Sequence, residues 1–553
     1  MARLVLGRRR AGVVASVLVA GLVVLCTAAL TGAFAGTSDT TQTNSAKQQF
    51  AQHLLKTRVA QLMTWPAQTA LHIQATGDRQ LTQAPAGVPP TRPGAAAAEA
   101  AVPSANLSNV LVNNPSEDTH QVDQTTQSET TIAVAGSHVA VGFNDSQQTG
   151  LFLTAGSGLS GYSYSADGGA SFTDGGNLPN APEFVNFGDP WMASDRAGTM
   201  YYATLALDFF NFNLDVAVAR STDGGKTWSA PVPVFRPPFT TFYAGDKEAL
   251  AVGPDPVVPT RDNLYVAYDD ISFDSQTSQA FTGLPVARST DGGTTWQLTY
   301  ADKFILPTTG CSFQQYIGAM PVVDRATGTL YVTAEKIAVN DPTCTGAPTT
   351  FSEWIFKSTD GGQTFGPGVK IADVTPATPN GLLFLGPGRY ARTIEFPSMA
   401  IRGGALYVAW NDGAKGSSHI RLATSTDGGS TWSTSFVTGG NGDEVQPALS
   451  ADSGGLHLLY YHRNPNNTLD VLAGNSRNGR GFATKRVTTQ SFQGTLTIPQ
   501  FDPVIAFGYM GDYIANVSDG SNAYFAWGDN RNSVTDFLFP NGRNDPDVFF
   551  AKQ

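Results

Sequence analysis

The sequence predicts an all-β fold assembled from a repeated unit of four strands. An octapeptide, Ser-x-Asp-Gly-Gly-x-[Ser/Thr]-[Trp/Phe], occurs five times, and alternating apolar runs rich in Val, Tyr and Ala lie between its copies. Such runs, separated by Gly, Asp and Asn turns, are typical of antiparallel strands. The copies begin at Ser165, Ser221, Ser289, Ser358 and Ser425.

The spacing of the octapeptide predicts the architecture. Its copies are separated by roughly 50 to 70 residues, and a degenerate sixth copy begins at Ser476. A period of that length suits one blade of a β-propeller and is too long for one coil of a solenoid.

The octapeptide itself has the chemistry of a turn. An Asp at the head of a turn accepts hydrogen bonds from the backbone N–H groups that follow it. The Gly-Gly pair allows positive φ angles, and the closing aromatic residue buries a large apolar area. We therefore expect structural roles for the five acids Asp167, Asp223, Asp291, Asp360 and Asp427. The octapeptide resembles the Asp-box of the sialidase (BNR-repeat) superfamily, in which the boxes lie on the face opposite the active site.

Seven units can be counted along the chain, although five have a well-formed box. Their first strands begin near residues 130, 190, 249, 320, 397, 447 and 513. The seventh unit ends after its third strand, and an unpaired edge would be left there. We expect residues 110–112 to pair with the C-terminal strand and close the ring. The sequence therefore predicts seven four-stranded blades, with the six blades that the resemblance implies as the alternative.

The N-terminal residues have the pattern of an export signal. Four arginines precede an apolar run over residues 11–30, and a small-x-small site ends at Ala35. Cleavage would secrete the protein, and an uncleaved run would anchor it with the propeller outside the cell. We predict a signal peptide or anchor at residues 1–35, a spacer rich in Ala, Pro and Thr at 36–106, and the β-propeller at 107–553.

The spacer has two features. Residues 45–71 have the apolar spacing of a short amphipathic helix. The stretch from 84 to 105 is rich in Pro and Ala, which predicts a semi-rigid or disordered tether.

Two cysteines, Cys311 and Cys344, follow the signal. Both belong to the fourth predicted unit, in loops that share one face of a propeller. A disulfide between them suits an exported protein.

The net charge restricts the classes of partner that the protein can bind. The formal net charge is −11, and removal of the four signal arginines takes it to −15. This balance argues against nucleic acid and anionic membrane surfaces as partners. We expect no cofactor or metal, a monomer, and membrane contact only through an uncleaved anchor.

Candidate site residues lead into the first strands, where ligands of propellers usually bind. Carboxylates crowded in such a funnel raise one another's pKa values, which suits acid–base catalysis on a glycosidic bond. The candidate catalytic residues are Asp246, Glu248, Arg389, Arg392, Glu395, Glu444, Asp512 and Tyr513. The candidate substrate-binding residues are Lys247, Tyr316, Tyr390, Tyr509 and Arg531. The alternative is that each acid caps the start of a strand.

The resemblance implies a mechanism with three arginines, a Tyr nucleophile activated by a Glu, and an Asp acid/base. Its first arginine should precede the first box, but no arginine lies between residues 92 and 196. Arg389, Arg392 and Arg531 are a possible substitute, with Tyr390 or Tyr513 beside Glu395 or Asp512.

Two further sets of residues belong to the loop-rich face. Four acids end second strands, which predicts either a ring for cations or sugar hydroxyls or simple turn capping: Asp145, Asp270, Asp412 and Asp529. Ten aromatic residues could either stack on sugars or cover the core: Phe209, Phe210, Phe212, Phe239, Phe242, Tyr243, Phe313, Tyr316, Phe384 and Tyr390.

The function predicted from these features is binding or cleavage of extracellular glycans by a secreted or cell-surface propeller. By resemblance, the enzyme would be a glycoside hydrolase of the exo-sialidase type. The alternatives are a non-catalytic carbohydrate-binding propeller and an adhesion or scaffold protein.

Overall fold

The computed structural model describes twelve stretches of the chain. They are residues 38–55, 63, 65–77, 102–117, 126–148, 154, 156–208, 210–307, 310–378, 381–494, 510–535 and 540–553. The predicted signal, parts of the spacer (residues 36–37, 56–62, 64 and 78–101), Phe209 and Tyr509 lie outside these residues. The described chain is all-β apart from two helices and one turn of 3₁₀-helix at Pro115–Glu117.

Most strands form antiparallel units of four. The first three units contain β2 (Gln127–Ala135), β3 (His138–Asp145), β4 (Ser160–Ser165) and β5 (Thr173–Asn177); β7 (Trp191–Ser194), β8 (Met200–Asp208), β9 (Leu214–Ser221) and β10 (Val232–Pro233); and β11 (Thr241–Pro254), β12 (Asp262–Asp274), β13 (Gln279–Ser289) and β14 (Gln297–Ile305). A parallel bridge between Leu214 and Ala244 joins the second and third units into one larger sheet.

The later units repeat this pattern. They contain β15 (Phe313–Val323), β16 (Leu330–Val339), β17 (Thr350–Ser358) and β18 (Val369–Val374); β21 (Ser398–Arg402), β22 (Ala405–Asp412), β23 (His419–Ser425) and β24 (Ser433–Phe436); β25 (Asp443–Ala451), β26 (Leu456–Arg463), β27 (Thr468–Ser476) and β28 (Ala483–Arg486); and β30 (Ala515–Ser518), β31 (Ala523–Val534) and β32 (Arg543–Lys552). Four short strands are added to this pattern. They are β6 (Phe184–Asn186) beside β8, β29 (Phe492–Gln493) beside β27, and the hairpin of β19 (Leu382–Phe384) and β20 (Tyr390–Arg392).

The fourth strand of the last unit comes from the part of the chain that precedes the first unit. Strand β1 (Val110–Leu111) pairs antiparallel with β32, and Val110 lies opposite Phe550. The N–H of Val112 donates to the carbonyl of Val548 at 2.9 Å. The predicted pairing of residues 110–112 with the C-terminal strand is therefore present.

The first strands contact one another in chain order. Strand β2 contacts β7, β7 contacts β11, β11 contacts β15, and the series continues through β21, β25 and β30 back to β2. Apolar side chains of neighbouring units fill the space between the sheets, among them the fully buried Trp410 and Trp527.

The Asp-box turns share one hydrogen-bond pattern. In the third unit, Asp291 accepts the N–H of Thr295 at 2.9 Å and its hydroxyl at 2.6 Å. The Ser289 hydroxyl donates to Asp291 and accepts the N–H of Gly293. The same bonds occur around Asp167, Asp223, Asp360 and Asp427.

The boxes also pack against neighbouring units. At Gly169, where φ is 89°, an added Cβ would lie 2.3 Å from the ring of Phe550 in the last unit. Phe172 packs on the same ring, at 5.0 Å between centroids. Glycine is thus required at this position by the backbone angle and by the close approach.

Two helices come from the segment that we expected to be a spacer. Helix α1 (Ser38–Leu54) and helix α2 (Trp65–Thr76) pack against each other and against β11 and β12. Ala51, Leu54, Ala67 and Leu71 belong to the largest buried apolar cluster. The helix expected within residues 45–71 corresponds to these two packed helices, and most of the Pro- and Ala-rich stretch at 84–105 lies outside the described residues. Neither helix has the length and apolar character needed to cross a membrane.

A disulfide joins Cys311 and Cys344, with a Cα–Cα distance of 5.0 Å. It links the segment leading into β15 with the loop after β16. This is the pair expected from the sequence.

We predict that Asp291→Ala lowers the free energy of unfolding by about 1–2 kcal/mol, because the turn loses hydrogen bonds to Ser289 and Thr295. Urea denaturation measures the change. Asp373→Ala, which removes an exposed carboxylate paired with Lys370, should cost at most about 1 kcal/mol. Equal losses in the two variants would contradict a structural role for the box.

Candidate functional site

The first strands carry a repeated irregularity near their starting ends. Register shifts interrupt the pairing of β2 after Ser128, of β11 after Asp246 and of β25 after Val445. At each shift one residue adopts a left-handed backbone, with φ of 53° at Glu129, 50° at Lys247 and 54° at Gln446. Asp189, directly before β7, has the same conformation with φ of 53°. Bulges of this kind redirect side chains, and strained residues cluster at functional sites.

These irregularities bring together a buried charge network, which we call the Lys247 cluster. The ammonium of Lys247 lies 3.1 Å from Glu129, 3.2 Å from Asp189 and 3.2 Å from Asp512. Arg392 contacts both carboxylate oxygens of Asp512, with Nε at 2.9 Å from Oδ1. The cluster joins residues of four units with Arg392, which belongs to β20.

The electrostatics of the cluster are those of paired ions. Burial alone would lower the pKa of Lys247, but Asp189, Glu129 and Asp512 raise it well above its usual value. Burial would raise the pKa of Asp512, but Arg392 and Lys247 lower it below its usual value. Lys247 is therefore a permanent cation, and its side chain is 6% exposed. Its positive charge is neutralised by carboxylates of the protein itself.

Two asparagines orient the acids of the site, and the sequence analysis did not identify them. Asn144 donates to Glu129 at 2.9 Å and accepts the N–H of Asp189 at 2.7 Å. Asn411 makes equivalent but longer contacts, at 3.4 Å to Glu395 and 3.3 Å from the N–H of Gln446.

The Asn-Asp pairs at the ends of β3 and β22 were the available signal for these asparagines. The candidates named from the sequence were instead Asp145 and Asp412. Each accepts the backbone N–H of the residue two positions later in the chain, at 3.0 and 2.9 Å. Asp529 does the same at 2.9 Å. Turn capping therefore accounts for these three acids, whereas Asp270 accepts the hydroxyl of Tyr300 at 2.6 Å.

The three candidate arginines are each engaged with the protein. Arg389 donates to Asn544 at 3.1 Å and to the carbonyl of Gly494. Arg531 donates to Asp529 at 3.0 Å and to Asn109 at 2.9 Å. Each guanidinium thus has its own partners within the protein, and the substitute arginine cluster considered from the sequence stays a prediction.

The candidate tyrosines are also engaged with the protein. Tyr513 donates its hydroxyl to the carbonyl of Pro190 at 2.9 Å. Its ring packs against Trp191 at a tilt of 48°, with 5.5 Å between centroids. Tyr316 is fully buried and donates to Asp302 at 2.9 Å. Tyr390 is buried against Phe384. Tyr316 and Tyr390 are core residues in this structure, which corrects their expected role in binding substrate.

Glu444 lies in a separate buried network. It contacts His419 Nδ1 at 2.5 Å and His462 Nδ1 at 3.0 Å. Burial would raise the pKa of Glu444, but these two hydrogen bonds lower it below its usual value. Asp443 beside it is bound by the buried guanidinium of Arg463. These contacts tie the sixth unit to β23 of the fifth.

Several other acids are buried without a basic partner. Glu335 and Glu353 face each other across β16 and β17, and neither has a hydrogen-bond partner for its carboxylate oxygens. Burial raises the pKa of both groups well above their usual values. Burial also raises the pKa of the neighbouring Glu395 to about 8.

The remaining candidates, Asp246 and Glu248, flank Lys247. Asp246 accepts the N–H of Lys247 at 3.1 Å. Glu248 is buried, its two carboxylate oxygens have no hydrogen-bond partner, and burial raises its pKa well above its usual value.

Space at the site is limited. A cavity of about 90 Å³ runs between the first strands and is lined by Lys247, Gln446, Asp512 and Tyr513, among others. This volume holds about three water molecules. A sugar ring would therefore have to bind outside this cavity, beside Arg392, which holds the cavity-lining Asp512 and is 15% exposed.

Most of the described aromatic candidates on the loops cover the core. Phe242 and Tyr243 are fully buried, whereas Phe210 and Phe239 are 65% and 48% exposed. Within the part of the chain that the structure describes, no group of three or more His, Cys, Asp or Glu side chains is arranged to hold a metal ion.

We predict that Lys247→Met lowers the free energy of unfolding by about 3–5 kcal/mol, because three buried carboxylates lose their shared cation. Denaturation in guanidinium chloride measures the loss. The exposed Lys226→Met is the matched control and should change stability little. A similar small effect at both positions would show that Lys247 is not the centre of the network.

We predict that Glu395→Gln makes stability less dependent on pH between 5 and 8. The folded protein keeps a proton on Glu395 up to about pH 8, whereas the unfolded chain loses it near 4.5. The contribution of Glu395 is therefore complete below pH 4.5 and is lost as pH rises through 8. Thermal unfolding across this range should show a shallower decline in the variant, and Glu117→Gln, at an exposed position, should keep the wild-type slope. A parallel decline in Glu395→Gln would contradict the buried protonated acid.

Comparison with known proteins gives a family match over part of the chain. Residues 219–230 match the BNR/Asp-box repeat. A search of curated proteins found no match.

Several solved structures are similar at low identity. A protein of unknown function from Dyadobacter fermentans is 12% identical, with a TM-score of 0.40 over 80% of this chain and 97% of that one. The intramolecular trans-sialidase of Ruminococcus gnavus is 13% identical, with a TM-score of 0.38 over 68% and 96%. An α-L-arabinofuranosidase of Fusarium graminearum is 12% identical, with a TM-score of 0.40 over 67% and 93%.

These structures assign neither a substrate nor a reaction to this chain. The matched residues include the second box, which has the hydrogen bonds described above. The resemblance to the Asp-box superfamily is thus confirmed, and residues 219–230 are a BNR/Asp-box repeat.

Proposed function

We propose that the protein is a seven-bladed propeller that binds a neutral extracellular glycan at the channel mouth without cleaving it. The seven-blade arrangement is supported by the four-stranded units and by the series of contacts from β2 through β30 back to β2. The pairing of β1 with β32 supports closure of the ring at the last blade. Secretion or surface display and a monomeric state remain part of this proposal.

The observation that carries the proposal is the internal pairing of the cations at the site. Lys247 is surrounded by Glu129, Asp189 and Asp512, and Arg392 is bound by Asp512. An anionic sugar would have to compete with these carboxylates, and the acidic chain would repel it. A neutral sugar would neither compete with these carboxylates nor be repelled by the acidic chain.

The groups at the mouth suit a neutral sugar. Trp191 and Tyr513 are partly exposed and pack against each other at a tilt of 48°, and the guanidinium of Arg392 binds Asp512 next to Tyr513. Aromatic faces beside a few fixed polar groups are typical of small-molecule recognition sites. Arg392 would supply hydrogen bonds to sugar hydroxyls while it stays paired with Asp512.

A glycoside hydrolase is the second candidate. Glu395 favours it, because a carboxylic acid with a pKa of about 8 is protonated at neutral pH, as a general acid requires. The engaged hydroxyl of Tyr513 and the pairing of the three guanidinium groups with groups of the protein argue against the sialidase mechanism.

The test uses the full chain with arrays of neutral polysaccharides, acidic polysaccharides and sialosides. We expect a neutral glycan to bind without products in mass spectrometry. Arg392→Ala should weaken this binding about tenfold or more, since each lost charged hydrogen bond contributes that much. Arg236→Ala, at an exposed ion pair with Glu183, should leave it unchanged.

Two outcomes would contradict the proposal. Products that disappear in Arg392→Ala or Tyr513→Phe would identify a hydrolase. Selective binding of sialosides would show that the cations at the mouth are available to anions.

A further inference from the structure

The two N-terminal helices lie over the same end of the sheets as the Lys247 cluster. We infer that α1, α2 and Met63 between them form an intramolecular plug, which must move before a glycan can reach Arg392. This inference goes beyond the proposed function, because it concerns access to the site and not its chemistry.

The plug contacts the site directly. The Nη1 of Arg392 donates to the carbonyl of Met63 at 3.2 Å, while its other nitrogens hold Asp512. Met63 is 2% exposed. A ligand that approaches this guanidinium would therefore compete with the backbone of the chain's own N-terminal segment.

Aromatic packing holds α1 on the third unit. The ring of Phe50 stacks on Phe273, at 4.7 Å and 8° between planes, and lies 5.7 Å from Phe242. Phe242 is fully buried, and Phe273 packs against the same cluster. Phe50 is thus the residue of α1 whose loss should release the helix.

A buried lysine adds a specific contact. Lys47 is buried, donates its ammonium to the carbonyl of Phe239, and lies 4.9 Å over the Phe239 ring. Burial lowers the pKa of Lys47 to about 8, although Asp208 opposes the shift. A lysine buried at this position indicates a docked surface, since a free helix would keep the ammonium in water.

The helices are held together as one body. Gln48 and Gln52 of α1 both donate to the carbonyl of Ala75, at 3.1 and 2.9 Å. Gln68 of α2 donates to the carbonyl of Met63 at 2.9 Å. Because α1 is bonded to the end of α2, release of α1 should also disturb the contact between Met63 and Arg392.

The test is chemical modification of Arg392 in the full chain. Phe50→Asp places a charge in the aromatic contact, and Gln49→Asp places the same charge on the exposed side of α1. Phenylglyoxal labelling is followed by peptide mass spectrometry, and hydrogen exchange over residues 38–76 reports on docking. We expect Phe50→Asp to lose protection in both helices and to label Arg392 about tenfold faster. Gln49→Asp should match the wild type.

Two results would overturn the inference. If the helices lose protection while the labelling of Arg392 stays unchanged, they do not cover the site. If Phe50→Asp labels Arg392 faster while both helices keep full protection, access to Arg392 does not depend on release of the helices.

Glycan binding is measured separately on the same variants. Faster labelling without glycan binding would reject the proposed function and retain the plug.

Discussion

The buried ammonium of Lys247 among three carboxylates is the interaction on which the rest of the site depends. Glu129, Asp189 and Asp512 come from three units and share this one ammonium, although Asp512 is also bound by Arg392. Removing one partner of a buried ion pair costs more than the pair contributes, because the remaining charge stays out of water. The cluster therefore links the first strands across the channel and uses the cations that an anionic ligand would need.

The fold could be predicted from the sequence because its determinants are local. The Asp, the glycine pair and the closing aromatic residue of each box form their turn within eight residues, as the bonds around Asp291 illustrate. The last unit ends after its third strand, and the unpaired edge that this would leave predicted the pairing of residues 110–112 with β32. The packing of the N-terminal helices could not be predicted, since nothing near Phe50 in the sequence specifies Phe273 as its partner.

The site was predicted in part, for a related reason. The candidates Lys247, Arg392 and Asp512 do meet, because Lys247 and Asp512 lie near the starts of first strands and Arg392 ends the hairpin that precedes β21. Arg531 does not join them, since it bonds Asp529 two residues before it. Whether a side chain points into the channel depends on a bulge and a positive φ, and the sequence around Lys247 shows neither. The roles of Asn144 and Asn411 likewise depend on which neighbouring unit each one faces.

Lysine acetylation of the folded full chain, with each site quantified by mass spectrometry, is the direct test of whether Lys247 is buried and paired. Lys226 and Lys485 are exposed and should be modified readily. We expect Lys247 to stay unmodified until the protein unfolds, because its ammonium is buried and paired. Modification of Lys247 at the rate of the exposed lysines would show an accessible ammonium and would contradict the buried network.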